Sequence, residues 1–176
     1  MRKALIILGI LDDTDLEWFI EQGNSREMKA GDCLIRQGDE LQALYFVLNG
    51  SLTVSLETPQ PRHLAELESG EVVGEISLLD SRPATASVHA KDTSLLLEVN
   101  RDVLKRQLKN DVGFQARMYK AIAMFLAQRM RSTILTVGYG DMKTDDDEID
   151  EIEPELLGNM EIAARRFELM ISKVRA

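Results

Sequence analysis

A series of short apolar segments separated by turn-forming residues constrains the fold of this chain most. From Glu27 to about residue 100, the hydrophobic pattern changes to a period of two, which is typical of β-strands. Segments 33–36, 43–49, 51–56, 63–68, 87–90 and 94–100 are predicted to be strands. Glycine, proline, asparagine and aspartate fill the gaps between them. Many short strands joined in this way predict an antiparallel β-roll or jelly-roll sandwich.

The Asn49-Gly50 pair lies between two of the most apolar segments. Both residue types tolerate the positive φ that the central positions of a type I′ turn require. The pair therefore predicts a two-residue hairpin that joins segment 43–49 to segment 51–56.

Helical periodicity flanks the strands on both sides. Residues 8–20 are predicted to become a helix that Asp13 or Thr14 caps, and Asn100 can cap another over 101–108. A longer helix is predicted to begin at Asp111 and to end at Ile134, with apolar residues three and four apart. The fold class expected is therefore α+β, an antiparallel β-roll or jelly-roll sandwich flanked by N-terminal and C-terminal helices.

One motif identifies a family. Residues 74–78 read Gly-Glu-Ile-Ser-Leu, and residues 83–88 read Pro-Ala-Thr-Ala-Ser-Val. This stretch resembles the phosphate-binding cassette of cyclic nucleotide-binding domains. The resemblance covers roughly Leu8 to Ile134. Upstream of the cassette, the glycine-punctuated strands between residues 30 and 54 also match the family in order and spacing.

The resemblance implies a ligand and roles for the cassette residues. Glu75 would accept the ribose 2′-hydroxyl of a cyclic nucleotide, and backbone N–H groups near Ser77, Thr85 and Ala86 would face the phosphate. Gly74 would let the backbone approach the ligand closely. The ligand-binding set implied is Gly74, Glu75, Ile76, Ser77, Arg82, Ala84, Thr85 and Ala86.

Position 84 departs from the family pattern. The family places there the arginine that neutralises the cyclic phosphate, whereas this chain has Ala84, and the nearest guanidinium is that of Arg82 beyond Pro83. Losing a charge-assisted contact costs about 1.5 to 3 kcal/mol, or roughly one to two decades of affinity. We therefore expect weak or atypical nucleotide binding. Two other roles stay open: Gly74 can serve the turn, and Glu75 can bind backbone at a helix N-terminus.

The C-terminal region divides into three parts. Residues 1–137 are expected to form the β-roll domain with its long helix, and residues 138–153 an acidic linker. Residues 141–155 contain nine acidic residues and one lysine, a composition typical of a solvated segment. Residues 154–176 are expected to form an amphipathic helix that begins at Pro154.

The last helix carries an apolar seam. Its members recur at steps of four and three residues and end at Val174, a heptad pattern in a helix too short to stand alone. They are Leu156, Met160, Ala163, Phe167, Met170 and Val174. This seam can dock on a partner, on its own domain or on a second copy. We expect a protein partner or a homodimer, formed with the helix from Asp111 to Ile134.

Charge and composition argue against several partners. The formal net charge is -9, which repels nucleic acid, and residues 141–176 contain no helix-turn-helix with a basic recognition helix. The basic cluster from Arg129 to Arg131 is expected to form a solvated helix face. Cys33 is the only cysteine, which favours a reduced, cytoplasmic setting. No apolar run reaches the 18 residues of a membrane helix, so no membrane association is expected.

An enzyme is the less favoured class. Cupin enzymes share the jelly roll, but they need clustered histidine and carboxylate ligands, and His63 and His89 lie on separate predicted strands. No metal, cofactor or catalytic residue is therefore expected. The expected function is a non-enzymatic regulator that senses a cyclic nucleotide or a related anionic ligand and relays its binding to a protein. The alternatives are a ligand-independent scaffold and, less favoured, a transcription factor.

Overall fold

The computed structural model describes residues 5–58, 60–80, 82–137 and 154–175. The helices are α1 (Leu5–Ile10), α2 (Asp13–Gln22), α3 (Glu75–Asp80), α4 (Arg101–Asn110), α5 (Val112–Val137) and α6 (Pro154–Val174). The strands are β1 (Asn24–Met28), β2 (Cys33–Ile35), β3 (Ala43–Asn49), β4 (Ser51–Leu56), β5 (Arg62–Glu68), β6 (Val72–Val73), β7 (Ser87–Ala90) and β8 (Ser94–Asn100).

The strands form two antiparallel four-stranded sheets. One sheet has the order β1-β8-β3-β6, and the other has the order β2-β7-β4-β5. Helices precede the sheets, interrupt them at α3 and follow them. The predicted α+β fold, an antiparallel roll flanked by helices, is confirmed.

The predicted hairpin at Asn49-Gly50 is wrong. β3 pairs with β8 and β6, whereas β4 pairs with β5 and β7, so the chain passes from one sheet to the other at Gly50. Gly50 has φ +86°, and a Cβ there would lie 2.7 Å from the Ser94 Cα. The glycine is therefore required by the close passage of β8 and not by a type I′ hairpin.

The sequence pattern does not predict the short strands β1 and β6 or the residue that caps α2. β1 buries only Met28, so its residues lack the apolar alternation by which strands are predicted. β6 has only two residues, both valines. The α2 cap is Asp12, whose side chain accepts the Asp15 backbone N–H at 2.9 Å, and not Asp13 or Thr14.

Alternating residues of β3 and β8 build two cores. Tyr45, Val47 and Leu96 face the second sheet, and their neighbours Phe46, Leu48 and Leu97 face the helices. Because both faces are buried, β3 reads as a continuous apolar run and not as a strict alternation.

Helix α6 packs into the helical core of the same domain. Ala163 and Met170 are fully buried there, and Phe167 and Val174 pack against the same cluster. The apolar seam predicted for this helix thus faces α1 and α2, which is one of the three destinations left open. Leu156 lies outside the residues whose side chains are described, and so does the whole 138–153 segment predicted as an acidic linker.

Arg166 fixes the docked position of α6. Its guanidinium donates to the carbonyl oxygens of Leu8 at 2.9 Å and Leu11 at 2.5 Å, and it pairs with Asp13 at 2.8 Å. The carbonyl groups at the end of α1 are orphan acceptors that a helix end must satisfy from elsewhere. A charged donor from α6 supplies that partner, so residues 154–175 belong to the folded unit.

Candidate functional site

The candidate site begins at Gly74, where β6 turns into α3. Gly74 has φ +97°, and a Cβ there would lie 2.8 Å from both the Ala43 carbonyl oxygen and the Leu41 Cδ2. Residues with a side chain rarely adopt this backbone conformation. The fold therefore accounts for Gly74 through the turn and the close passage of β3, without a ligand.

Glu75, the first residue of α3, forms the polar centre of the site. It is 3% exposed, and its Oε1 lies 2.6 Å from Nη1 of Arg129 on α5. The Arg129 guanidinium also stands over the Phe125 ring, 5.5 Å from its centroid, a cation–π geometry. The long C-terminal helix thus contacts the residue predicted to bind ribose.

The solvated face predicted for the cluster 129–131 needs correction at one position. Met130 is 65% exposed and Arg131 is also exposed, as expected for a solvated face. Arg129, by contrast, turns inward to Glu75. A buried carboxylate needs a compensating charge, and the tertiary fold brings this one from 54 residues away.

Burial sets the protonation of Glu75. Removal from water raises the pKa of this carboxyl above its ordinary value, because desolvation penalises the charged form. The Arg129 charge and the backbone N–H groups of Glu75 and Gly74 act in the opposite direction and do not fully compensate. Glu75 is therefore a buried acid whose charged form depends on the position of α5.

The middle of the cassette is held by local hydrogen bonds. The buried Ser77 hydroxyl donates to the Arg82 carbonyl oxygen at 3.2 Å. The Arg82 side chain is 82% exposed, and its Nε lies 3.4 Å from Asp80 Oδ2. Arg82 therefore neutralises its neighbour on α3 in this structure, and Ser77 ties the helix to the following turn.

Position 84 is built into the roll. The Ala84 side chain packs against the core between the sheets. Its backbone accepts the Gly38 N–H and donates to the Asp39 carbonyl oxygen, both at 2.8 Å. Of the other cassette residues, Thr85 and Ile76 are exposed and Ala86 is half-buried. The structure thus gathers the predicted residues into one turn-helix-turn unit, with Glu75 at its buried end and no cation at position 84.

Arg129 is the residue of this site that sequence reasoning missed. Its local pattern is that of any arginine on an amphipathic helix, and a contact across 54 residues leaves no trace in spacing. The one available hint was that Arg82 is the only basic residue of the cassette, since a glutamate buried there would need a charged partner.

The described parts of the chain contain neither a metal-binding cluster nor a membrane-spanning helix. Within residues 5–58, 60–80, 82–137 and 154–175, no three histidine, cysteine or acidic side chains are grouped so as to hold a metal ion. Over the same ranges, no helix has the length and apolar character needed to cross a membrane.

Comparisons with known proteins point to one family. The sequence profile described as the cyclic nucleotide-binding domain matches residues 25–111. The lysophospholipase nte1 of Aspergillus fumigatus is 32% identical over 124 residues, which cover 69% of this chain and 7% of that protein. The cAMP-activated global transcriptional regulator CRP of Salmonella typhimurium is 28% identical over 108 residues, which cover 53% of this chain and 51% of the regulator.

A solved structure extends the likeness to three dimensions. The catabolite activator protein of Thermus thermophilus superposes with a TM-score of 0.60 at 29% sequence identity, over 72% of this chain and 58% of that one. The chain thus spans a small part of the lysophospholipase and about half of the transcriptional regulator.

Proposed function

Residues 25–111 belong to the cyclic nucleotide-binding domain family, and we propose that the chain is a non-enzymatic regulatory module that senses a cyclic nucleotide or related anionic ligand. The ligand binds at the cassette from Gly74 to Ala86. Its binding is relayed through the C-terminal helices to a protein partner.

The Glu75–Arg129 ion pair is the observation that carries this proposal. A ribose hydroxyl bound to Glu75 would lie beside Arg129, the α5 side chain that contacts the same carboxylate. A ligand at Glu75 and the position of α5 are therefore coupled, because a ligand shifts a conformational equilibrium when its contacts differ between the two states.

A packed route leads from α5 to α6. Arg117 of α5 pairs with Asp15 of α2, and α1 packs against both α5 and α6. Arg166 of α6 in turn binds carbonyl oxygens of α1. A displacement of α5 changes the surface on which α6 rests, which makes α6 the readout.

The apolar side chains left outside the core support a protein partner. Four members of the predicted α6 seam, Ala163, Phe167, Met170 and Val174, pack on their own domain, so a homodimer or another protein must use a different face there. Tyr119 of α5 and Ile162 and Leu169 of α6 are 42%, 45% and 43% exposed, respectively. The net charge of -9 supports a protein over nucleic acid as the partner, because a polyanion is repelled.

Isothermal titration with a panel of cyclic mononucleotides and cyclic dinucleotides tests the proposed ligand. Wild type should bind one of them at tens of micromolar or weaker, since position 84 supplies no cation. Glu75→Ala should abolish the heat, and Glu57→Ala, an exposed glutamate outside the cassette, should not change it. Wild-type protein that binds none of the panel at millimolar concentration would contradict the proposal.

A ligand-independent scaffold is the second candidate. It is favoured by the way Arg129 already satisfies Glu75 and by the packing of Ala84 into the roll. Thermal unfolding with and without the nucleotide panel separates the two functions. A ligand that binds only the folded state raises Tm, whereas a scaffold shows no shift.

A further inference from the structure

The outer face of α6 carries an apolar strip. Ile162 and Leu169 lie seven residues apart and are 45% and 43% exposed, respectively. Because an α-helix has about 3.6 residues per turn, side chains seven positions apart lie on the same side of the helix, two turns from each other. The strip therefore lies on a different side of α6 from Ala163 and Met170, which are buried in the helical core.

Three charged residues lie beside this strip. Glu161, Arg165 and Glu168 are exposed, and they follow one another at steps of four and three residues, so they form a row along the same side of the helix. Among the described residues, none of the three takes part in an ion pair. The outer face thus combines apolar surface with a negative, a positive and a negative charge that its own domain does not neutralise.

The docking of α6 holds this face in a fixed orientation. Arg166, on the inner side, binds the carbonyl oxygens of Leu8 and Leu11 and pairs with Asp13. A surface that is already ordered loses little conformational freedom when a partner binds it, and less of the binding energy is spent on ordering. The outer face of α6 is therefore a preformed surface.

We propose that the outer face of α6 is a self-association surface, on which the same face of a second copy of this chain packs in the antiparallel direction. This inference rests on the part of the proposed function that gives α6 a protein partner, and it names that partner. It does not depend on the binding of a nucleotide.

The order of residues on this face is complementary to itself. A two-fold axis that is perpendicular to α6 at the level of Arg166 brings residues before the axis beside partner residues after it. Ile162 lies four residues before that level and Leu169 three residues after it, so each faces the other residue type in the partner. The two positions differ by one residue, which is about 1.5 Å along the helix.

The charges match about the same axis. Arg165 lies one residue before the level of Arg166, and Glu168 lies two residues after it. Arg165 thus faces the partner's Glu168 with an offset of about 1.5 Å. Because the axis is two-fold, each apolar contact and each pair of opposite charges occurs twice.

A parallel pair of helices lacks this match. In that arrangement each residue lies level with its own counterpart, so Arg165 faces the partner's Arg165 and Glu168 faces the partner's Glu168. Like charges placed together across an interface repel each other. The charges therefore favour the antiparallel direction.

Charge reversal tests the partner and the direction together. Arg165→Glu puts a like charge opposite the partner's Glu168, and Glu168→Arg puts one opposite the partner's Arg165. Each variant alone should self-associate at least about tenfold more weakly than wild type. An equimolar mixture of the two variants should associate about as tightly as wild type, because every charged contact then joins opposite signs.

Sedimentation equilibrium at up to about 0.3 mM chain measures the association, since a contact between two single helices is small and a weak dimer is expected. Arg106→Glu is the matched control, because it makes the same change at an exposed arginine of α4. It should self-associate as wild type does. The double variant Arg165→Glu/Glu168→Arg should recover the association, which shows that the single variants fail through charge and not through misfolding.

Three results would overturn the inference. They are a wild-type chain that stays monomeric over the whole concentration range, single variants that associate as tightly as wild type, and a mixture that does not recover. None of them affects the proposed binding of a nucleotide at the cassette. A nucleotide panel that gives no binding while the mixture recovers would contradict the proposed ligand and leave the self-association of α6 standing.

Discussion

Arg117 of α5 binds Asp15 of α2 through two short hydrogen bonds, Nε to Oδ2 at 2.6 Å and Nη2 to Oδ1 at 2.7 Å, across 102 residues. Asp15 is 2% exposed and also accepts the Asp12 backbone N–H at 2.9 Å, which completes the cap of α2. The hydrogen bonds to Asp15, together with the charges of Asp15 and its acidic neighbours, raise the pKa of Arg117. The Asp15 carboxylate thus completes the N-terminal cap of α2 and also joins α2 to α5.

We expect Asp15→Asn to lower the free energy of unfolding by about 2 kcal/mol. The amide keeps the size of the side chain but loses the charged hydrogen bonds to Arg117. Urea denaturation measures the change, with the exposed Glu17→Gln on the same helix as control. A loss no larger than that of the control would show that the pair contributes nothing to stability.

Phe167→Asp should detach α6 from the domain. Phe167 packs against the helical core on the same side as Ala163 and Met170, and a charge in that position removes about 2 kcal/mol of apolar burial. Limited proteolysis and sedimentation equilibrium follow the detachment and the oligomeric state. Leu169→Asp is the matched control, because Leu169 is 43% exposed on the outer side of the helix. Equal protease resistance of the two variants would contradict the docking of α6.

Gly74→Ala should destabilise the protein more than Gly31→Ala does. Both glycines have positive φ, so each substitution costs about 1 to 2 kcal/mol in backbone strain. Only at Gly74 does the new methyl meet backbone, 2.8 Å from the Ala43 carbonyl oxygen, and nothing lies within 4 Å at Gly31. The difference between the two unfolding free energies isolates this steric contribution. Equal losses would mean that β3 yields to the methyl group.

Ala84→Arg should tighten cyclic AMP binding by about tenfold or more, because it places a guanidinium where the related cassettes carry one. Thr85→Arg adds the same charge at the adjacent exposed position and controls for net charge. Calorimetric titration measures both variants. If both gain equally, the effect comes from long-range attraction and not from a specific phosphate contact.

Glu75→Gln should become more stable relative to wild type as the pH rises. Burial raises the pKa of Glu75 above the 4.5 of a solvated glutamate, so the folded state holds the proton more tightly than the unfolded state. Wild type therefore loses stability from about pH 4.5 upward, until Glu75 is charged in both states. Denaturant unfolding at pH 4, 5.5 and 7 measures the difference, with the exposed Glu161→Gln as control. A difference that does not vary with pH would contradict the raised pKa.

The sequence by itself determined where most elements lie. Segments 43–49, 51–56, 87–90 and 94–100 are the observed β3, β4, β7 and β8. This agreement has a local cause, because the period of two and the turn residues depend on neighbours within a few positions. The cassette was readable for the same reason: glycine, glutamate and small residues specify a turn and a helix start through their own backbone geometry.

Only the tertiary structure decided which elements meet. Asn49-Gly50 predicts a break between two strands, but not that the second strand lies in the other sheet. β4 cannot pair with β3, because β8 and β6 already occupy both edges of β3. The seam of α6 predicts that one face of the helix is buried, but an apolar face does not specify what packs on it. In the structure, α1 and α2 pack on that face. The Glu75–Arg129 pair likewise depends on the packing of α5 over α3, since the charge that compensates a buried carboxylate can come from any distance along the chain.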